Sequence, residues 1–217
     1  MREPTTEQAF GDDDRRPMRV EGAFTAHICK LTSRAWPNGN EVFNLTSRLS
    51  EENKKTKVPL YVYDEDSPHK RKAVLDDDGT QKFISAEFMV DAEIQDDGSW
   101  FYEEAGHDWQ TNEKYADRMD AIGVEFPEKE VGTGKNKKMK SLLQKIDADD
   151  ILGMPVVVEI GWSKYKVREK DADDNWTDAK DSAGKQLYGE ALKVIGYSPW
   201  VGGKRIELAE WDEPAPF

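Results

Sequence analysis

The chain has 217 residues, enough for one sizeable core with long excursions, and carries a formal net charge of −13. Only 37% of its residues are hydrophobic and 35% are charged, so the core is modest and the connecting loops are solvated. A single cysteine, Cys29, excludes an internal disulfide framework; no apolar run is long enough for a membrane span, and Met1–Glu7 has no signal-peptide core, which together point to a soluble, intracellular protein.

Residues 1–20 are polar, with Asp12–Asp14 and Arg15–Arg16 between Gly11 and Pro17, and are expected to form an N-terminal arm outside the core. From Phe24 the pattern turns strand-like, with Phe24, Ala26 and Ile28 alternating with polar neighbours. Asn38–Gly39 supplies the positive φ of a hairpin, and Phe43, Leu45 and Leu49 mark the return strand. A charged link over 51–57 leads to a strand over Val58–Tyr63, then a long loop over 64–80 containing Lys70-Arg71-Lys72 and Asp76–Gly79. Ile84, Ala86, Phe88, Val90, Ala92 and Ile94 alternate strictly, which predicts one half-buried strand, a turn at Asp96–Gly98 and a partner strand over 99–103.

The period then changes. Asn112 is placed to start a helix that buries Tyr115, Ala116, Met119 and Ile122 and stops at Gly123. Lys129–Lys140 reads as a Gly- and Lys-rich loop, and Met139, Leu142, Leu143 and Ile146 as a second, short helix. Val156, Val158, Ile160 and Trp162 form the most strand-like run of the chain. An acidic loop over 170–184 follows, then closing strands over Tyr188–Ile195 and Lys204–Leu208, and no internal repeat is evident. Hairpin-linked antiparallel strands with a small helical insert and long charged loops predict a mainly β fold, a small barrel rather than a sandwich.

Aromatic and basic residues are interleaved where a single-strand groove would need them. Trp36 stands at the first hairpin tip; Tyr61 and Tyr63 share a strand face after Lys55 and Lys57; Trp100 and Tyr102 share another; Trp162 and Tyr165 lie among Lys164, Lys166 and Arg168. Every base offers a π-face, so rings bind a strand without reading its sequence, and lysines beside them neutralise phosphates. Strand aromatics are more often core than platform, so the set is the candidate rather than any member. Lys135, Lys137 and Lys138 form the densest basic patch, but Lys129 stands where a P-loop needs its first glycine and Asn136 where it needs Ser or Thr, so the patch is a candidate phosphate contact and not a nucleotide site. Glu93, Gln95, Asp97 and Glu104 match a calcium loop only in degenerate form, and His27, Cys29, His69 and His107 do not have zinc spacing. With no catalytic signature, the expectation is a binding protein without cofactor or metal.

Two stretches carry a family resemblance. The phrase Ile146–Ile160, with its acidic connector and Leu152-Gly153-Met154-Pro155-Val156 step, resembles a segment of phage-encoded single-stranded DNA-binding proteins of the OB-fold class. The acidic run Glu207, Glu210, Asp212, Glu213 leading to Pro216 and Phe217 resembles the C-terminal tip of bacterial and phage single-stranded DNA-binding proteins, although Ala215 separates its two prolines and the run is short. The resemblance implies an OB-like single-stranded DNA-binding domain over 21–206 and an acidic partner-docking tail over 207–217. It further implies sequence-independent protection of single-stranded DNA in phage replication and recombination, in the cytoplasm of a host bacterium. Asp212, Glu213, Pro216 and Phe217 would engage replication or recombination proteins; a homo-oligomer is compatible with all of this. The rival readings are a virion structural or interaction protein and an acidic inhibitor that mimics DNA, both favoured by the net charge.

Overall fold

Alternation builds the first two strands. Phe24, Ala26 and Ile28 on β1 (Gly22–Ala35) and Phe43, Leu45 and Leu49 on β2 (Glu41–Leu49) all turn into one core and are buried. The computed structural model describes residues 17–35, 40–98, 100–102, 112–131, 133–171 and 174–207. Short strands follow at β3 (Lys57–Pro59), β4 (Tyr61–Tyr63), β5 (Arg71–Ala73), β6 (Phe83–Ser85), β7 (Glu93–Gln95) and β8 (Phe101–Tyr102). Then come α1 (Glu113–Ile122), the hairpin β9 (Glu128–Val131) with β10 (Lys138–Ser141), and α2 (Ala148–Ile151). The chain closes with β11 (Pro155–Lys166), β12 (Arg168–Lys170), β13 (Trp176–Asp178) and β14 (Tyr188–Pro199).

The main sheet runs β14–β11–β1–β2–β7, every neighbour antiparallel. β1 serves two partners: Gly22–His27 pair with β11 and Ala26–Ala35 with β2, and a bulge between Ile28 and Lys30 bends the strand from one to the other. A parallel bridge between Asp96 and Val194 brings the last strand back to β7, so five strands form a nearly closed, OB-like barrel. Val156, Val158, Ile160 and Val194 fill it from the far side.

The helix α1, placed between the third and fourth barrel strands, has the predicted face: Tyr115, Ala116, Met119 and Ile122 are buried. Gly123 ends it at φ 85°, where its N–H reaches the last helical carbonyls. Tyr115 fixes the chain that follows, since its hydroxyl accepts from Ile146 N at 3.0 Å and donates to Gln144 O at 2.7 Å. Trp100 stacks on Phe43 with centroids 5.1 Å apart and donates its Nε1–H to Asp96 at 2.5 Å. Burial raises the Asp96 carboxyl above the usual aspartate range, and the indole and the Gly98 amide, 3.0 Å away, offset part of that cost.

Several expectations change. The strand over 58–63 is split into β3 and β4, and the segments expected as loops over 64–80, 129–140 and 170–184 carry β5, the β9/β10 hairpin and β13. The alternating run Ile84–Ile94 is two strands in different sheets, broken by a 3₁₀ turn over Ala86–Met89 that buries Ala86 and Met89; period two continued through a turn because both ends happen to face inward. β7 and β8 do not pair with each other but both lie along β2. The second helix is absent from 139–146, where β10 pairs with β9, and the helical turn falls instead at Ala148–Ile151, capped reciprocally by Asp147 and Asp150. Residues 204–207 form no strand. Residues 17–20 do not belong to a loose arm: Pro17 bridges Val62, Met18 N donates to Tyr61 O at 2.9 Å, and Val20 is fully buried, while residues 1–16 lie outside the described residues.

A repeat is present after all. The excursions 57–85 and 164–190 are two lobes of one design: a stem of paired strands (β3/β6, β11/β14) opens into a three-way junction that carries a hairpin (β4/β5, β12/β13) and a tight turn. At the first junction Leu60 N donates to Lys82 O, Lys82 N to Val74 O and Val74 N to Leu60 O, a closed cycle of three bonds. Val167, Leu187 and Ala179 form the same cycle in the second. A carboxamide sits at each centre: Gln81 Nε2 reaches Leu60 O, Val74 O and Lys82 O at 2.9, 3.2 and 3.2 Å, and Gln186 Nε2 reaches Val167 O, Ala179 O and Leu187 O at 3.2, 3.2 and 2.8 Å. Gly79 and Gly184, at φ 83° and 79°, make the equivalent turns.

The Leu152-Gly153 step has a physical reason. Gly153 adopts φ 78°, its N–H donates to Ile28 O at 2.8 Å, its carbonyl accepts from Ile206 N at 3.0 Å, and a Cβ there would fall 2.0 Å from Ile206 O. Gly153→Ala is therefore expected to lose at least about 2 kcal/mol from the left-handed backbone and the displaced segment together, read as a lower urea midpoint at unchanged m-value.

Candidate nucleic-acid interface

The first lobe docks on the base of the second through four ring and cation side chains. Register places Tyr61, Tyr63 and Arg71 on one face of the β4/β5 hairpin, and the Arg71 guanidinium lies 4.3 Å over the Tyr61 ring and 5.1 Å over that of Trp162. His69, on the bend between β4 and β5, stacks on Trp162 at 4.0 Å and 22°, and its Nδ1 is 3.3 Å from Glu190 Oε2. His69 and Lys70 both hold positive φ, 56° and 54°, a left-handed pair that the stack keeps in place.

Glu21, at the head of β1, binds this knot to the barrel. Its carboxylate accepts two bonds from Arg71 and one from Trp162 Nε1, each 2.7 Å. The Arg71 bonds hold the Glu21 carboxyl at about 2, far below the usual glutamate range, and in return raise the guanidinium. Beyond Trp162 the alternation of β11 and β14 carries the same face outward to Lys164, Lys166, Tyr188 and Glu190. This face mixes signs: Arg71 is tied to Glu21, and Lys166 and Arg168 both reach Asp178, at 3.1 and 3.6 Å.

The sequence candidates divide sharply. Trp100 and Tyr102 are core residues, 0% and 6% exposed, so neither offers a face to a base; α1 and Phe43 cover them. The Arg71 guanidinium lies over the rings of both Tyr61 and Trp162, and His69 stacks on Trp162, making these rings a joint between lobes instead of open platforms. Tyr63 and Tyr165 are open, at 47% and 45%; the phenol of Tyr165 lies over Gly189 on the opposite face of the stem. Lys55, Lys57 and Lys164 are exposed. Lys135, Lys137 and Lys138 are exposed on the separate β9/β10 hairpin, Lys137 paired with Glu130 at 2.8 Å, and they do not join the face. Trp36, Asp212, Glu213, Pro216 and Phe217 lie outside the described residues.

Three exposed rings were missed: Phe83 at 57%, Trp176 at 64% and Tyr188 at 59%. A signal for two of them was in reach, because Phe83 and Tyr188 each stand two positions after the glutamine of an Asp-x-x-Gly-x-Gln turn. Among the described residues no group of three or more His, Cys, Asp or Glu converges to hold a metal, and no helix is long and apolar enough to cross a membrane. Cys29 donates to Thr46 O at 3.2 Å, and burial pushes its thiol up to about 11, far from nucleophilic use. No family model, curated protein or solved structure matches the chain.

The depressed Glu21 carboxyl fixes a pH dependence. Because its folded value of about 2 lies below the ordinary 4.5, its contribution is complete above pH 4.5 and is lost as pH falls from there towards 2. Glu21→Gln is expected to cost about 1–2 kcal/mol at neutral pH, by leaving a half-shielded guanidinium without its partner, and to flatten stability against pH over that window. Urea midpoints of both proteins at pH 6, 4 and 3 check this; parallel curves would contradict it.

Proposed function

We propose that this protein binds single-stranded DNA without reading its sequence, the strand lying along the two lobes that project from the OB-like barrel. The observation that carries the reading is the distribution of open rings. Among the described side chains, every exposed Phe, Tyr or Trp (Tyr63, Phe83, Tyr165, Trp176, Tyr188) lies within 57–85 or 164–190. Rings this open bury little area for the fold, whereas unpaired bases stacked on them gain roughly 1–3 kcal/mol each. The second lobe joins the fourth and fifth barrel strands, one of the loop positions that barrels of this kind use to hold oligonucleotides.

Stacking dominates in this reading because the cations are shared with carboxylates. The acidic run Glu207, Glu210, Asp212, Glu213 with Phe217 would be repelled by bound DNA and dock on a basic partner of replication or recombination.

The test is fluorescence anisotropy of labelled oligo-dT against the full chain and a variant ending at Glu207. Binding is expected with a shallow slope of log K against log salt, about −1 to −2, as for two or three phosphate contacts, and tighter binding by the shorter variant at low salt. No binding by either protein at low salt would overturn the assignment. A slope steeper than about −4 would contradict the dominance of stacking.

A further inference from the structure

The two lobes agree in more than backbone. When Gln81 is matched to Gln186, Phe83 falls on Tyr188, and the rising stem strands match Lys57 to Lys164. In the first stem Pro59 faces Phe83 and Lys57 faces Ser85; in the second Lys166 faces Tyr188 and Lys164 faces Glu190. Residues opposite each other, and those two along, share a face of an antiparallel pair, so Lys57 is the diagonal neighbour of Phe83 and Lys164 of Tyr188. Both rings are more than half exposed, at 57% and 59%, and both lysines are exposed with no ion pair among the described residues. The fold thus builds one arrangement twice, an open ring with an open ammonium beside it, at a diagonal spacing of about 7 Å between Cβ atoms.

Resting on the reading that the chain binds single-stranded DNA, we propose that each lobe holds one nucleotide. Phe83 and Tyr188 stack on the base, Lys57 and Lys164 meet the adjoining phosphate, and Gln81 and Gln186 are positioning residues that fix the ring two positions further on. Among the described residues no ring or cation contact is recorded for either ring, and nothing in barrel packing requires a ring and a lysine side by side on both stems. A nucleotide supplies both complements at once, a flat face and a negative charge one sugar away. The hairpins above the junctions have diverged, Tyr63 matching Lys170 and Arg71 matching Trp176, as expected if the stems carry the shared role and the hairpins differ because the first is used to dock on Trp162.

The experiment compares wild type, Phe83→Leu, Tyr188→Leu, Phe83→Trp, Tyr188→Trp, Lys57→Gln and Lys164→Gln for oligo-dT affinity and thermal midpoint. Each leucine variant is expected to bind about 5- to 100-fold more weakly at unchanged midpoint, and each tryptophan variant at least as tightly as wild type, which a merely apolar surface role would not produce. Each glutamine variant should reduce the salt slope by about 0.7. Wild-type binding that survives both leucine substitutions unchanged would sink the two-nucleotide assignment and leave DNA binding itself standing. Loss of wild-type binding altogether would sink both.

Discussion

Three extended segments cannot meet at a point without leaving backbone groups that no sheet ladder can satisfy. This protein meets that constraint twice in the same way, with a cycle of three backbone bonds whose carbonyls are read a second time by the carboxamide of Gln81 or Gln186. A glutamine is suited to this because its two N–H groups can be shared among acceptors converging from different strands, and it carries no charge that would have to be desolvated. Each junction converts a long loop, which would otherwise cost entropy and wander, into a stem with two short branches of fixed direction. The placing of the exposed rings among the described residues follows from those junctions.

The barrel and the lobes have a clear division of labour. The barrel buries its alternating residues around Trp100, Phe43 and Tyr115 and is nearly closed, with a parallel bridge between Asp96 and Val194. The second lobe continues the β11/β14 ladder out of the barrel, and the first is joined to it by Val58, which enters the barrel core, and by the Glu21 carboxylate with Arg71 and Trp162. Because that carboxylate is partly open to water, it locates the lobe more than it stabilises the fold. Arg71 accordingly acts as a clamp between rings and is not available to a phosphate.

Electrostatics explains how a molecule of charge −13 remains compatible with binding a polyanion. In the lobes cations nearly balance carboxylates, five Lys and Arg against six Asp and Glu over 57–85 and six against seven over 164–190, and some are directly paired, Asp178 with Lys166 and Arg168 and Asp174 with Lys170. Such a balance leaves a surface close to neutral locally, over which, in the proposed reading, stacking would decide affinity and screening by salt would have little to remove. On the proposed reading, the total charge would act at long range and slow encounter with DNA.

The sequence alone determined three strands of the barrel and the helix α1, because those depend on local alternation and on a glycine at the helix end: Phe24–Ile28, Phe43–Leu49, Val156–Ile160 and the stop at Gly123 all stand as expected. It also contained the repeat, as Asp76-x-x-Gly79-x-Gln81-x-Phe83 and Asp181-x-x-Gly184-x-Gln186-x-Tyr188, but eight positions with four constrained are too few to notice before the bonds of the two glutamines give them a meaning. Which rings are open was decided only in three dimensions. Tyr102 and Tyr63 are alike in type and in strand context; one is sealed by a helix that follows it and the other is half exposed. Trp162 is covered by His69 from a distant part of the chain. Burial is a property of what packs from elsewhere, and no spacing along a strand encodes it.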